Sequence, residues 1–138
     1  MFYCELLSGL WIGDPDILMN DKFLNDNNIS IIINCTQMFD FPSIDKIKKI
    51  RLPFSPVSES NDDIYLLREN KDKIISFIKN NIDENNILIV CYNGKSISPF
   101  IVALYIASQS RIDNTSIYDI LLTKNKELEL WCDVSLFT

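Results

Sequence analysis

Histidine is absent from this 138-residue chain. No imidazole can therefore act as general base, metal ligand or pH switch, which excludes Ser-His and Cys-His mechanisms. Cys4, Cys35, Cys91 and Cys132 show no CxxC spacing and have no histidine with which to complete a zinc set. No metal, cofactor or disulfide framework is expected, and Cys4, Cys35 and Cys132 read as small buried apolar side chains. Long apolar runs are missing as well. The longest, Phe100 to Ala107, ends at Ser108 and Gln109, short of the roughly 18 residues that a membrane span needs. The opening Met-Phe-Tyr-Cys-Glu-Leu-Leu lacks the basic start and the small-residue cleavage site of a signal peptide, so an intracellular location, cytoplasmic or nuclear, is expected. Positive charge is in short supply: 13 Lys and Arg against 19 Asp and Glu give a net charge of −6. That balance argues against nucleic-acid binding through a broad basic face, and any phosphorylated partner must be gripped locally.

What is present is a core. With 47% hydrophobic residues and only three glycines and five prolines, the chain is expected to fold as a single domain over residues 1–138. Tyr3 to Ile12 reads as two short strands joined at Gly9 and ending at Gly13-Asp-Pro. Asp14 before Pro15 suggests a capped helix running to Asn27-Asn28, followed by a buried strand from Ile29 to Cys35. Lys46 to Phe54 suggests another strand, leading into a loop stiffened by two prolines. Ser60 and Asp63 resemble a capping box that opens a long helix ending near Asn81. After a strand through Ile87 to Cys91, Ser98 to Ser108 is apolar almost all round, as a helix packed deep against a sheet must be. Asp113 starts a further helix over Ile117 to Thr123, and a last one is expected over Glu127 to Phe137. This order implies an α/β fold: a central, mostly parallel sheet with helices on both faces, its site at the carboxyl edge of a strand.

The joint at Cys91 carries the chemistry. A cysteine ends a buried strand, a short loop follows, and an apolar helix begins. Loop N–H groups and the positive end of a helix converge in such a joint on one point, which is a place for an anion. The segment Cys91-Tyr-Asn-Gly-Lys-Ser-Ile-Ser98 resembles the signature loop of the cysteine-dependent dual-specificity phosphatases: cysteine, five residues, arginine, then serine or threonine. Gly9-Leu-Trp-Ile-Gly13 and Ile31-Ile-Ile-Asn34 look like that family's opening strand pair and next core strand. The likeness extends from Leu6 to Leu122.

The resemblance implies a dual-specificity phosphatase-like fold and assigns roles by position. Cys91 would be the nucleophile, and Ser98 the hydroxyl that assists departure of its thiolate. Tyr92, Asn93, Gly94, Lys95, Ser96 and Ile97 would form the phosphate-binding loop, braced by Asn34. Ser98 and Asn34 serve equally well as structural residues, a helix start and a strand end. The family's general acid, an aspartate upstream of the cysteine, falls near Asn61; Asp62 is the preferred candidate and Asp63 the neighbouring one, with helix capping as the competing role.

Two departures decide the expected function. The family's arginine falls on Ile97 and the histidine before its cysteine on Val90. Charge-assisted hydrogen bonds contribute about 1.5 to 3 kcal/mol each, so losing a bidentate pair removes roughly 3 to 6 kcal/mol, or about 10² to 10⁴ in rate. The expectation is a pseudophosphatase that acts by binding a protein or phosphoprotein, with no nucleic acid and no membrane. The alternative is an active but atypical phosphatase in which Cys91 attacks while Lys95 and the loop amides bind phosphate; Lys95 reads more readily as a solvated surface residue. Redox chemistry at Cys91 is a third class.

Overall fold

The computed structural model describes residues 1–57 and 60–137. Five strands form one sheet in the order β1-β2-β5-β3-β4: β1 Tyr3–Leu7, β2 Leu10–Gly13, β3 Ile29–Asn34, β4 Lys48–Arg51 and β5 Asn86–Val90. Only β1 runs antiparallel to its neighbour; β2, β5, β3 and β4 are mutually parallel. The β1–β2 turn needs Gly9, whose φ of 80° lies where a side chain is strained. Parallel strands must be crossed over by helices, and here these cover both faces.

The sheet's central strands are apolar at nearly every position because both faces are buried. On one face Leu10, Ile12, Ile31, Ile33, Ile87 and Ile89 pack under helices α2 (Asn61–Asn81), α3 (Ile97–Gln109) and α4 (Asn114–Lys124). On the other, Ile32, Leu88 and Val90 pack under Ile17, Leu18, Phe23 and Leu24 of a 3₁₀ turn, Pro15–Met19, and helix α1, Asp21–Asp26. Ile29 joins this second group because the β3 register shifts between Ile29 and Ile31. Helix α3 contributes Phe100, Ile101, Val102 and Ala103, all at most 1% exposed, and is the central helix its sequence predicts. No helix among the described residues is long and apolar enough to cross a membrane.

Three local expectations are corrected. The helix after Asp14 is interrupted: Asn20 leaves helical geometry (ψ 80°) and its side chain accepts from Phe23 N–H at 2.9 Å, so it caps a second helix instead of continuing the first. The capping box at Ser60 is half formed. Ser60 accepts from Asp63 N–H at 3.1 Å, but the Asp63 carboxylate turns to Ser55 and accepts from its N–H at 2.9 Å. The segment from Glu127 is not an α-helix; only Val134–Phe137 make a 3₁₀ turn. The Asn125 and Asp133 side chains take the N–H groups of Glu127 and Ser135, each two residues on, a local bond that competes with helix. The tail is held by ring contacts instead: Trp131 meets Phe54 and Phe100 edge-on at 5.6 Å and stacks on Phe137. Cys4 and Cys132 are half-buried, not buried as expected; Cys35 is fully buried.

Candidate functional site

The Cys91 loop leaves the carboxyl end of β5 and enters α3, as the sequence predicts. The ladder hands it over directly: Cys91 N–H donates to Gly13 C=O at 3.1 Å, just beyond the Gly13–Val90 pair. Gly94 makes the turn with φ 72°. A Cβ there would stand 2.8 Å from the backbone of Gly13 and Asp14, so the loop fits against β2 only with glycine.

Inside the loop the nucleophile position and its hydroxyl are in contact. Cys91 Sγ lies 3.2 Å from Ser98 Oγ, both residues fully buried, and the Ser98 hydroxyl lies 3.2 Å from Gly94 C=O. Ser98 thus sits inside the first turn and is not the helix cap; Ser96 is the cap residue, without a side-chain capping bond. Two further donors of the loop converge on a side chain of the loop itself. Asn93 Oδ1 accepts from Lys95 N–H at 2.9 Å and from the Ser96 hydroxyl at 3.1 Å, and it lies 3.7 Å from Cys91 Sγ. A neutral amide oxygen takes hydrogens that an oxyanion would otherwise accept.

Ile97 begins α3 at 6% exposure and joins the apolar cluster of that face. No arginine takes its place. Arg51 donates to Thr36 C=O and Phe39 C=O, both at 2.8 Å, and stacks on Phe41; Arg68 lies over Phe137; Arg111 follows the far end of α3. That helix of 13 residues separates Arg111 from the loop by about 20 Å at 1.5 Å per residue. Lys95 Nζ is 3.6 Å from Glu127 Oε1 and 5.1 Å from the Phe2 ring centroid, so its charge is engaged on the tail and the N-terminus. Val90, at the histidine position, is fully buried in the opposite-face cluster.

Asn34 braces the neighbouring loop. Its amide donates to Phe39 C=O at 2.9 Å, and its oxygen accepts from Thr36 N–H and hydroxyl at 3.1 and 2.7 Å. Tyr92 joins three loops: its hydroxyl donates to Phe54 C=O at 2.7 Å and accepts from Gln37 N–H at 3.0 Å. Asp62 is exposed in the first turn of α2 and makes no side-chain hydrogen bond to the Cys91 loop among the described residues. Asp63, 3% exposed, is occupied by Ser55.

Several neighbours escaped the sequence reading. Cys35 follows Asn34, which pairs with Val90, and Cys35 N–H donates to Val90 C=O at 2.7 Å. Cys35 and Cys91 thereby lie side by side in one core cluster. Burial pushes the Cys35 thiol well above its ordinary value, and Cys91 adds to the shift. The parallel register would have revealed the pair. The tail's approach had no such signal: Glu129 N–H donates to Lys95 C=O at 2.7 Å and brings Trp131 beside the loop.

No protein-family model matches the sequence, and no curated protein does. Solved structures do. Human tyrosine phosphatase-like serine/threonine/tyrosine-interacting protein aligns with a TM-score of 0.80 at 16% identity, over 98% of this chain and 92% of that one. A variant of human DUSP28 aligns with a TM-score of 0.79 at 12% identity, over 93% and 85%. DUSP15 aligns with a TM-score of 0.77 at 20% identity, over 91% and 78%. The chain therefore has the fold of the dual-specificity phosphatases, as its signature loop implied.

Proposed function

We propose that this protein is a pseudophosphatase, a dual-specificity phosphatase fold that acts by binding a protein rather than by hydrolysing phosphate esters. One observation carries the reading. The loop that would hold a phosphoryl group has an isoleucine where its guanidinium belongs, and its Lys95 N–H and Ser96 hydroxyl are bonded to Asn93 Oδ1. A dianion entering this loop would have to displace the amide oxygen and would meet no bidentate partner. The similarity to a human protein whose name includes "interacting protein" supports a binding role. Lys95 is a weak substitute for the arginine, because Glu127 neutralises it and an ammonium grips as a point charge.

The test is turnover of an aryl phosphate and a phosphotyrosine peptide by the wild type, Ile97→Arg and Cys91→Ser. The wild type should fall about 10² to 10⁴ below ordinary members of the fold, and Ile97→Arg should recover part of that deficit. Wild-type turnover at the ordinary level, lost in Cys91→Ser, would refute the reading and establish the active alternative.

A second reading, sulfur chemistry at Cys91, is favoured by the adjacent Cys35. Hydrogen peroxide would convert the Cys91 thiol to a sulfenic acid with loss of water, and the Cys35 thiol would displace a second water to leave a disulfide. Intact mass under non-reducing conditions checks it. A loss of two hydrogens that disappears in Cys35→Ser supports the reading, and an unchanged mass removes it.

A further inference from the structure

The surface beside the Cys91 loop sets an acidic side chain against an apolar wall. A cavity of ≈ 340 Å³ opens against Ile97, Trp131, Val57 and Tyr92, with Glu129 on its rim. Glu129 is exposed, and among the described residues its carboxylate has no cationic partner. The local cation, Lys95, faces Glu127. Ser55, on the cavity wall, holds the Asp63 carboxylate. Glu129 on the cavity and a net charge of −6 favour a cation there over a phosphate dianion. Trp131 is 4% exposed and borders the cavity, so its ring forms part of the apolar wall that an occupant would touch.

Building on the pseudophosphatase reading, we propose that this cavity docks an unphosphorylated, basic segment of a partner protein. An arginine or lysine stem lies on Ile97 and Trp131, and its charged head meets Glu129. The geometry suits such a side chain because its apolar stem and cationic end match an apolar wall with an acidic rim. The position that a phosphatase would give to a guanidinium is here a contact for a guanidinium brought by the partner.

The chain has two tryptophans, so an indole ¹H–¹⁵N spectrum carries one signal for Trp131 and one for Trp11 as an internal control. The hexapeptide Gly-Ala-Arg-Leu-Ala-Gly at millimolar concentration should shift the Trp131 signal saturably and leave Trp11 in place. The same peptide with phosphoserine replacing arginine should shift neither. Glu129→Lys, a change at an exposed side chain, should weaken the arginine peptide roughly tenfold as an attraction becomes a repulsion. A Trp131 signal indifferent to the arginine peptide, an equal response to the phosphoserine peptide, or unchanged affinity in Glu129→Lys would overturn the proposal. Aryl phosphate assayed in the same samples separates the two conclusions. Ordinary turnover sinks the pseudophosphatase reading, whereas an inert protein that ignores the arginine peptide sinks only the docking proposal.

Discussion

Two loops leave the carboxyl edge of the sheet side by side, one after β3 and one after β5, and they close in opposite ways. In the β3 loop, carbonyl oxygens of Thr36 and Phe39 converge, and the Arg51 guanidinium gathers them. In the β5 loop, donors from Lys95 and Ser96 converge, and the Asn93 amide oxygen gathers them. In each loop a side chain of the protein takes up part of the hydrogen bonding that the loop offers. An anion-binding loop must instead keep its donors free and add a cation. The β5 loop packs Gly94 against β2 and Ser98 against Cys91, and it enters α3 through the apolar Ile97.

The comparison can be broken from either side. Asn34→Ala should have the largest effect, because it strips the buried Thr36 N–H and hydroxyl of their shared acceptor. Unsatisfied buried groups cost about 1 to 3 kcal/mol each, so a loss of roughly 2 to 6 kcal/mol is expected in urea unfolding. Gly94→Ala tests the other loop. A Cβ 2.8 Å from backbone atoms, at a positive φ, should cost roughly 2 to 4 kcal/mol in the same measurement. A neutral outcome would mean that β2 yields and the loop is less fixed than its contacts imply.

Smaller effects sharpen the contrast. Arg51→Lys keeps the charge but cannot span both carbonyls, and about 1 to 2 kcal/mol of stability should be lost. In the β5 loop, Asn93→Ala should release donors without unfolding the protein. Millimolar tungstate should then raise the melting temperature of Asn93→Ala more than that of the wild type. The Cys35 thiol gives a pH test of the boundary between the loops. Its folded value is raised above the ordinary 9.0, so its contribution is fully present below that pH and is lost as pH rises through the folded value. Cys35→Val should therefore show a shallower alkaline loss of stability than the wild type in urea titrations above about pH 9.

The sequence by itself determined the architecture and pointed to a candidate site. Apolar runs such as Ile29 to Ile33 and Ile87 to Val90 can be buried on both faces only in a parallel sheet, and the glycine-punctuated loop after Cys91 is legible as an anion cradle from local chemistry alone. Caps were legible in part: Asp113 and Ser60 open their helices, although Asp63 does not return the bond to Ser60. What failed was local competition, as at Asn20 and in the tail after Asn125, where side-chain bonds to nearby N–H groups prevail over helical periodicity. Tertiary structure alone decided which groups face the cradle. The parallel register set Cys35 beside Cys91, Asn93 turned inward, Lys95 turned to Glu127, and Trp131 came to the loop from a segment some 40 residues away in sequence. Periodicity reports which side of an element is buried; it carries no information about which distant side chain meets that side, because such contacts follow from the docking of whole elements and not from the chain's local preference.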